Sequence, residues 1–240
     1  MRRCRFLHLQ VMRPLLAFFF TSALALTAQE PPPQTEYLGR VIAQTMHWKG
    51  AEWLMRRMRE SEEAGARMRD ELHLKPGMTV CDMGCGNGYH TIPLAEMVGE
   101  QGKVYAVDLQ PEMIEMLKAN LDRKGIKNVL PIQGRVDDPQ LPPGSCDLIL
   151  LVDVYHEFSH PVAMLAAMRA ALKPGGRLAL VKFRSEDASV PIKPEHKMSK
   201  AQINREMTAN GLVLLREYDG LPWQHLMFFG KAGEGGERKP

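Results

Sequence analysis

The stretch Val80-Cys81-Asp82-Met83-Gly84-Cys85-Gly86-Asn87-Gly88 decides the fold of this chain. Its first residues are typical of a buried strand that ends in an acid. After the strand, every second residue is a glycine. Because glycine has no Cβ, the backbone amides of Gly84, Gly86 and Gly88 can approach a bulky ligand closely at the start of a following helix. The stretch therefore predicts a nucleotide-type binding turn between a strand and a helix.

The spacing of these glycines excludes two common phosphate-binding motifs. A dinucleotide fingerprint needs Gly-x-Gly-x-x-Gly, but Gly88 comes one position early and Tyr89 stands where the third glycine should be. A P-loop needs Gly-Lys-Ser or Gly-Lys-Thr, which this stretch lacks. The pattern Asp-x-Gly-x-Gly-x-Gly instead resembles the class I S-adenosylmethionine (SAM)-dependent methyltransferases.

Three later segments follow in the order that this family shows. Lys103–Asp108 reads as a second buried strand that ends in an acid, about twenty residues after the glycine turn. Residues 146–153 form an apolar run of strand length, and residues 172–177 close a helix and turn into a strand. The resemblance covers roughly residues 72–230. It implies an α/β, three-layer Rossmann-like methyltransferase fold with a seven-stranded, mostly parallel sheet and an antiparallel final strand.

Hydrophobic periodicity and turn residues place the individual elements. The strands are predicted at 79–83, 103–108, 129–133, 147–152, 177–183, 212–219 and 223–230. The helices of this domain are predicted at 90–98, 111–124, 160–172 and 199–210. The alternation up to residue 183 requires a parallel sheet, whereas the last two strands are close enough in sequence to form a hairpin.

The first 28 residues read as a secretory signal peptide. Arg2, Arg3, Arg5 and Arg13 precede an apolar stretch, residues 14–28, that ends in small residues. Because this stretch is short for a membrane span, we expect cleavage and export to the periplasm or the exterior. An uncleaved N-terminal membrane anchor is the alternative. Membrane contact is otherwise expected only transiently, through the leader.

The rest of the chain suits one domain with an extension. Residues 29–71 are predicted to form a linker and two capping helices, and residues 231–240 a disordered tail. In the extension, the basic and acidic cluster at residues 56–63 is interpreted as a solvated helix face with ion pairs.

The chain has 31 basic and 28 acidic residues, and four of the basic ones lie in the leader. The rest of the chain is nearly neutral and lacks the excess of basic residues that nucleic-acid binding requires. We therefore expect a small-molecule acceptor.

The resemblance implies SAM as the cofactor and a set of residues around it. Asp82 is expected near the ammonium of its methionine part, Asp108 at the ribose diol, and Leu109 on the adenine face. Either Asp137 or Asp138, after strand three, is expected at the adenine amino group. The remaining members of the cofactor set are Gly84, Cys85, Gly86, Gly88 and Asp153.

The segment after strand four carries the predicted catalytic residues Tyr155, His156 and Glu157. Methyl transfer requires chiefly that the acceptor be aligned and water excluded, and a base is needed only when the acceptor is protonated. His156 or Glu157 could serve as that base. Glu195 and His196, in a loop after strand five, are secondary candidates, with an ordinary surface loop as the alternative. A metal site formed by His156, Glu157 and His160 matches no known metal motif and is set aside, so no metal is expected.

Three other function classes remain open at this point, one of which is an exported scaffold that no longer meets SAM, although the intact glycine turn argues against it. A catalytically silent SAM-binding protein would keep Asp82, the glycines and Asp108 without turnover. An NAD-dependent oxidoreductase is disfavoured by the glycine spacing. The sequence gives neither the acceptor nor the oligomeric state.

Overall fold

The structure, a computed structural model, describes Met1 and residues 32–233. The chain divides into two units between Pro32 and Pro33, and the elements reported below belong to the second unit. Apart from Met1, the predicted leader lies outside the described residues, as do residues 234–240 of the predicted tail. Within the described part, every helix is too short or too polar to cross a lipid bilayer.

The N-terminal extension forms a hairpin and three short helices, so the prediction of two helices is wrong. β1 (Glu36–Tyr37) pairs antiparallel with β2 (Arg40–Val41). The helices are α1 (Ala51–Leu54), α2 (Arg59–Glu63) and α3 (Gly65–Glu71). The hairpin turns at Leu38 and Gly39, whose φ angles are 47° and 85°, and Ala64 separates α2 from α3 with a φ of 50°. These left-handed residues interrupt the helical stripe on which the prediction rested.

Seven strands form the central sheet. They are β3 (Thr79–Met83), β4 (Lys103–Asp108), β5 (Val129–Gln133), β6 (Cys146–Val152), β7 (Leu172–Phe183), β8 (Leu212–Tyr218) and β9 (Gln224–Lys231). Their order across the sheet is β5-β4-β3-β6-β7-β9-β8. Neighbours up to β7 pair in parallel, and β9 pairs antiparallel with both β7 and β8. The predicted Rossmann-like fold with an antiparallel final strand is confirmed.

Four longer helices pack on the sheet: α4 (Thr91–Val98), α5 (Pro111–Lys124), α6 (Pro161–Ala171) and α7 (Lys200–Ala209). Side chains of β6 alternate between two buried apolar clusters. Ile149 belongs to the cluster that contains Leu165 of α6, and Leu148 belongs to the cluster that contains Leu94 of α4. This alternation is typical of a sheet covered by helices on both faces.

β7 begins five residues before its predicted start at residue 177. Leu172 already pairs with Cys146, and the ladder resumes where Arg177 pairs with Leu148. The intervening turn is an irregularity within the strand pairing and contains Gly175, with a φ of 71°. β9 likewise extends one residue into the predicted disordered tail, because Lys231 pairs with Leu212.

The glycine turn follows β3 and leaves no room for side chains. Gly84 has a φ of 72°, and a Cβ at this position would lie 2.5 Å from Cγ2 of Val154. Gly86 has a φ of 54°, and a Cβ there would lie 2.8 Å from Cδ1 of Leu54. Both positions therefore require glycine for the backbone angle as well as for the space.

We expect Gly84→Ala to lower the free energy of unfolding by about 2 to 5 kcal/mol, because left-handed strain adds to the overlap with Val154. Gly77→Ala is the matched control, since its φ is 85° and nothing lies within 4 Å of an added Cβ. For this control we expect a loss of only about 1 to 2 kcal/mol, from backbone strain alone. Urea unfolding of both variants measures the difference. Equal losses would contradict the steric role of Val154.

Candidate functional site

A cavity of about 430 Å³ opens at the carboxyl edge of the sheet, where β3 to β6 end. Its walls include the turns after these strands, side chains from residues 45–63 and a loop at residues 191–196. Ligands of open α/β sheets bind beyond the carboxyl ends of the strands, and this cavity lies there. We call this space the central cavity.

The glycine wall consists of Gly84, Gly86 and Asp108, all of which line the central cavity. The amides of Gly84 and Cys85 donate to the carbonyl of Val107 at 2.8 and 2.9 Å, which holds the turn against the end of β4. The amide of Gly86 donates to the Asp108 carboxylate at 2.9 Å. Burial raises the pKa of Asp108, while backbone donors act in the opposite direction. The glycine wall thus places the Asp108 carboxylate, a hydrogen-bond acceptor, next to backbone at Gly84 and Gly86 that a ligand can approach closely.

Leu109 and Gln110 extend this wall. Leu109 lines the cavity and is 40% exposed, so it offers an apolar surface to a ligand. The amide of Trp48 donates to Oε1 of Gln110 at 2.7 Å, and Nε2 of Gln110 donates to the carbonyl of Met46 at 2.9 Å. These two bonds hold the N-terminal extension against the cavity.

Three residues predicted for the cofactor set are absent from the described cavity wall. Asp82 is buried and accepts a hydrogen bond from Oγ1 of Thr91 at 2.6 Å, and burial raises the pKa of Asp82 to about 6. Cys85 lies in an apolar cluster, and burial raises the pKa of its thiol. A Cβ on Gly88 would meet Leu117 at 2.6 Å. For Asp82, Cys85 and Gly88 the structure therefore supports a role in shaping the turn.

The predicted acids after β5 also lie outside the described cavity wall, although Arg135 and Val136 line it. Oδ1 of Asp137 accepts from Nε of Arg135 at 3.3 Å. Oδ1 of Asp138 accepts from the amide of Gln140 at 2.8 Å. The structure thus brings neither predicted adenine ligand to the cavity and gives both acids local partners.

A second group on the cavity wall, the histidine cluster, consists of His156, Glu157 and His196. Nε2 of His156 lies 2.7 Å from Nδ1 of His196, and the two rings meet edge to face. Oε1 of Glu157 accepts from the amide of Met46 at 3.3 Å and lies 3.9 Å from Nε2 of His156. His156 and Glu157 follow β6 in a 3₁₀ turn, Tyr155–Glu157, whereas His196 ends another 3₁₀ turn, Pro194–His196. Of the predicted catalytic residues, the structure brings His156 and Glu157 to the cavity.

Burial shifts the protonation of this cluster. It lowers the pKa of His156 well below the ordinary value, and the nearby Lys182 ammonium acts in the same direction. Burial also raises the pKa of Glu157 to about 8. At neutral pH the His156 imidazole is therefore uncharged and can accept a proton, whereas Glu157 is largely protonated.

Tyr155, the third predicted catalytic residue, is buried outside the described cavity wall. Its hydroxyl donates to Oε2 of Glu206 at 2.7 Å. Nε of Arg40 donates to Oε1 of the same carboxylate at 2.7 Å, and the Arg40 guanidinium lies over the Tyr155 ring. Consecutive residues of one 3₁₀ turn thus face different surroundings. The structure assigns Tyr155 to a buried network that joins β2 to α7.

Asp153 lines the central cavity, but its carboxylate is held by protein groups. Oδ1 accepts from Nζ of Lys182 at 3.2 Å and from the amide of Phe183 at 3.1 Å. Oδ2 accepts from Nε2 of Gln224. Lys182 is fully buried, and its ammonium also donates to the carbonyl of His196. The carboxylate predicted for the cofactor therefore serves as the counterion of a buried lysine.

The interpretation of residues 56–63 as a solvated face is wrong for Arg59 and Glu63. Their side chains are 7% and 3% exposed, they pair at 2.9 Å, and both line the central cavity. Nη1 of Arg59 also donates to the carbonyl of Leu54 at 2.8 Å. The i,i+4 spacing predicted the ion pair itself, but burial against the glycine turn could not be read from local sequence.

These observations can be compared with known proteins. A family model described as a methyltransferase domain matches residues 74–227. The chain belongs to this methyltransferase family. Membership implies S-adenosylmethionine as the cofactor, in agreement with the glycine turn.

Curated relatives and a solved structure extend this result. The chain is 34% identical over 140 residues to the protein-L-isoaspartate O-methyltransferase of Pyrococcus horikoshii, which covers 53% of this chain and 60% of that protein. It is 31% identical over 140 residues to the ubiquinone/menaquinone biosynthesis C-methyltransferase UbiE of Shewanella pealeana, a match that covers 58% of this chain and 49% of that protein. The chain thus spans about half the length of the curated relatives it matches. A SAM-dependent methyltransferase structure from Aquifex aeolicus is 27% identical with a TM-score of 0.73, and the match covers 77% of this chain and 98% of that one.

The residues of the central cavity fit SAM. Gly84 and Gly86 leave a space that a Cβ would fill, so backbone can approach a ligand there. Asp108 can accept hydrogen bonds from a ribose diol, and Leu109 can pack on a base. The Arg59–Glu63 pair supplies charges of both signs, which complement the ammonium and carboxylate of an amino acid.

We expect Asp108→Ala to weaken binding of S-adenosylhomocysteine, the demethylated form of SAM, by about ten- to a hundred-fold, since two hydrogen bonds to the ribose are lost. Asp137→Ala is the matched control, because this acid lies outside the described cavity wall, and its affinity should stay within about two-fold of wild type. Isothermal titration calorimetry measures both. Equal affinities of the two variants, or tighter binding of NAD than of S-adenosylhomocysteine by the wild type, would contradict the assignment.

Proposed function

We propose that this protein transfers a methyl group from SAM to a small-molecule acceptor held in the central cavity. One observation carries the proposal: the glycine wall and the histidine cluster line the same cavity of about 430 Å³. Such a volume is typical of small-molecule sites. The protein's own residues thus provide a cofactor-binding surface and, next to it, proton-accepting groups.

Each part of the chain has a separate task in this proposal. SAM supplies an electrophilic methyl group. Asp108 holds the ribose, the side-chain-free backbone at Gly84 and Gly86 lies against the cofactor, and the Arg59–Glu63 pair holds the amino-acid part. The extension, anchored through Gln110, covers the site and excludes water, which favours an in-line displacement.

His156 is proposed as the group that accepts a proton from the acceptor. Its imidazole is neutral because burial lowers its pKa, and it contacts the half-buried His196, to which a proton can pass. Glu157 is largely protonated at neutral pH, so we assign it to orienting the acceptor through a hydrogen bond.

The acceptor is proposed to be a compact molecule with an apolar body and a protonated oxygen or nitrogen. The wall near the histidine cluster includes Met164, Phe183 and Ile192, which suit an apolar body. The named relatives act on different acceptors, an isoaspartyl protein and a quinone precursor by their names, so similarity selects neither. Coverage by residues 45–63 favours a small molecule over a folded protein.

We expect His156→Gln to lower turnover about a hundred-fold or more while affinity for S-adenosylhomocysteine stays within about two-fold, since a base is lost and the glycine wall is untouched. The neighbouring Tyr155→Phe is the control. It removes a donor to buried Glu206, so it should lower thermal stability but leave turnover of the folded protein within a few-fold. The assay follows label from methyl-labelled SAM into pooled metabolites, lipids and peptides.

Wild-type turnover in this assay also separates the proposal from a silent SAM-binding protein, which would bind cofactor and transfer nothing. Unchanged turnover in His156→Gln would contradict its role as a base.

Export remains part of the proposal and rests on the charge and apolar pattern of residues 1–28. We expect fractionated cells to hold most of the protein outside the cytoplasm, with an amino terminus near Gln29. Amino-terminal sequencing measures this, and a cytoplasmic form that keeps Met1 or Met12 would contradict it.

A further inference from the structure

We propose that the histidine cluster binds one divalent transition-metal ion of the Zn²⁺ type, through Nε2 of His156, Nδ1 of His196 and a carboxylate oxygen of Glu157. One ligand atom from each residue lies within 4.8 Å of the others. All three residues line the central cavity. From the sequence, a metal site with His160 as the third partner is set aside and no metal is expected, but the fold brings in His196 from a loop 40 residues further along the chain.

The donor set selects the class of metal. Two imidazole nitrogens and one carboxylate oxygen are a common ligand set of catalytic zinc sites, which leave a further position open. Mg²⁺ and Ca²⁺ prefer oxygen ligands throughout. The cysteines of the described region, Cys81, Cys85 and Cys146, are buried apart from this cluster, so a thiolate is not expected among the ligands.

The distances are close to those that a metal requires. Two ligand atoms on one tetrahedral metal, with bonds of about 2.0 to 2.1 Å, lie about 3.3 Å apart. The His156–His196 nitrogens are 2.7 Å apart, and the His156–Glu157 ligand atoms are 3.9 Å apart. Shifts of well under 1 Å satisfy these two contacts, and the third pair, Glu157 and His196, lies within 4.8 Å and closes by up to about 1.5 Å. His196 can make such a shift, because it is only half-buried and lies on a loop.

The His156 ring has an unsatisfied atom in the metal-free arrangement. Nδ1 of His156 is buried and lacks a hydrogen-bond partner within the described part of the chain. An unsatisfied buried polar atom costs about 1 to 3 kcal/mol, and such atoms are rare outside functional sites. The contact of Nε2 with His196 allows either tautomer, so the ring proton can occupy Nδ1 and leave the Nε2 lone pair available to a cation.

The two side-chain cations nearest the cluster are already paired with carboxylates. The nearby Lys182 ammonium is paired with Asp153 at 3.2 Å, and the Arg40 guanidinium is paired with Glu206 at 2.7 Å. By contrast, across the described residues Glu157 makes no ion pair with a lysine or arginine, and its nearest basic neighbour is the uncharged His156 at 3.9 Å. A divalent ion would supply the missing positive charge for this buried carboxyl group.

The site has a consequence for the acceptor, which rests on the proposed function. Three protein ligands leave at least one coordination position for a ligand from the central cavity. The ligand class that fits is an oxygen, either a hydroxyl or a carboxylate of the acceptor. In the metal-bound form Glu157 gives up its proton, and the ion replaces free His156 as the group that activates the acceptor: a bound hydroxyl loses its proton more readily, and that proton passes to water.

The test uses the whole purified chain, stripped with a chelator and titrated with Co²⁺, whose visible absorption reports coordination. We expect one equivalent to bind with a spectrum of four or five ligands that include nitrogen, and Zn²⁺ to displace it. Glu157→Gln and His196→Ala should each weaken Co²⁺ binding by about ten- to a hundred-fold or more. His73→Asn is the control, because this exposed histidine has a φ of 48°, which asparagine tolerates. These variants avoid the buried His156, whose replacement could disturb folding.

Two results would overturn the metal site: no Co²⁺ or Zn²⁺ bound at micromolar concentrations, or affinities in Glu157→Gln and His196→Ala equal to that of His73→Asn. Calorimetry with S-adenosylhomocysteine on the same samples separates this inference from the proposed function. Cofactor binding without metal binding overturns the metal site alone. Metal binding without cofactor binding supports the metal site and overturns the proposed function.

Discussion

The ion pair between Lys182 and Asp153 is the interaction on which the acceptor side of this site depends. A buried ammonium is costly unless it is paired, and Lys182 is fully buried near the carboxyl end of β7. Asp153 supplies its counterion and also accepts from Phe183 and Gln224, so one carboxylate joins the ends of β6, β7 and β9. Lys182 in turn donates to the carbonyl of His196 and so positions the loop that carries it. Loss of either partner would leave a buried charge and release this loop.

A second buried network fixes the opposite side of the histidine cluster. Glu206 accepts from Arg40 and Tyr155, and Arg40 also donates to the backbone carbonyl of His156 at 3.0 Å. The amide of Ala43 donates to the same carbonyl at 3.0 Å. The backbone of His156 is therefore held by the N-terminal extension, while its ring is held by His196. This arrangement fixes the position of a residue in a short 3₁₀ turn, as the proposed proton transfer requires.

The strands β3 to β6 could be predicted from the sequence because they are largely apolar runs that end at, or just before, an acid or a glycine. Residues 103–108 and 129–133 were bounded correctly for this reason. The glycine turn and Asp108 follow from the same local pattern. The extension was predicted wrongly, because the left-handed residues Leu38 and Ala64 carry no glycine-like signal. Ordinary residues adopt such angles only where tertiary contacts stabilise them.

For the site residues too, local sequence predicts the residue types, and only the fold decides their partners. Tyr155, His156 and Glu157 form one polar run in the sequence, and only the fold decides that Tyr155 meets Glu206 while His156 meets His196. The pairing with His196 spans 40 residues, and local spacing contains no information about it. Asp153 was expected to bind a ligand because it ends a strand. Its actual partner, Lys182, looks like an ordinary strand residue until the sheet buries it.

The Arg40–Glu206 pair joins residues 166 positions apart and has a consequence for the order of folding. The extension is synthesised well before its partners on α7 and after β6. Closing so long a loop costs chain entropy, and this cost is offset only when the assembled sheet provides the contacts on which the extension packs. We therefore expect the extension to dock late, after the sheet has formed. It would then be the first part to open in native-state hydrogen exchange, uncovering the cavity without unfolding the core.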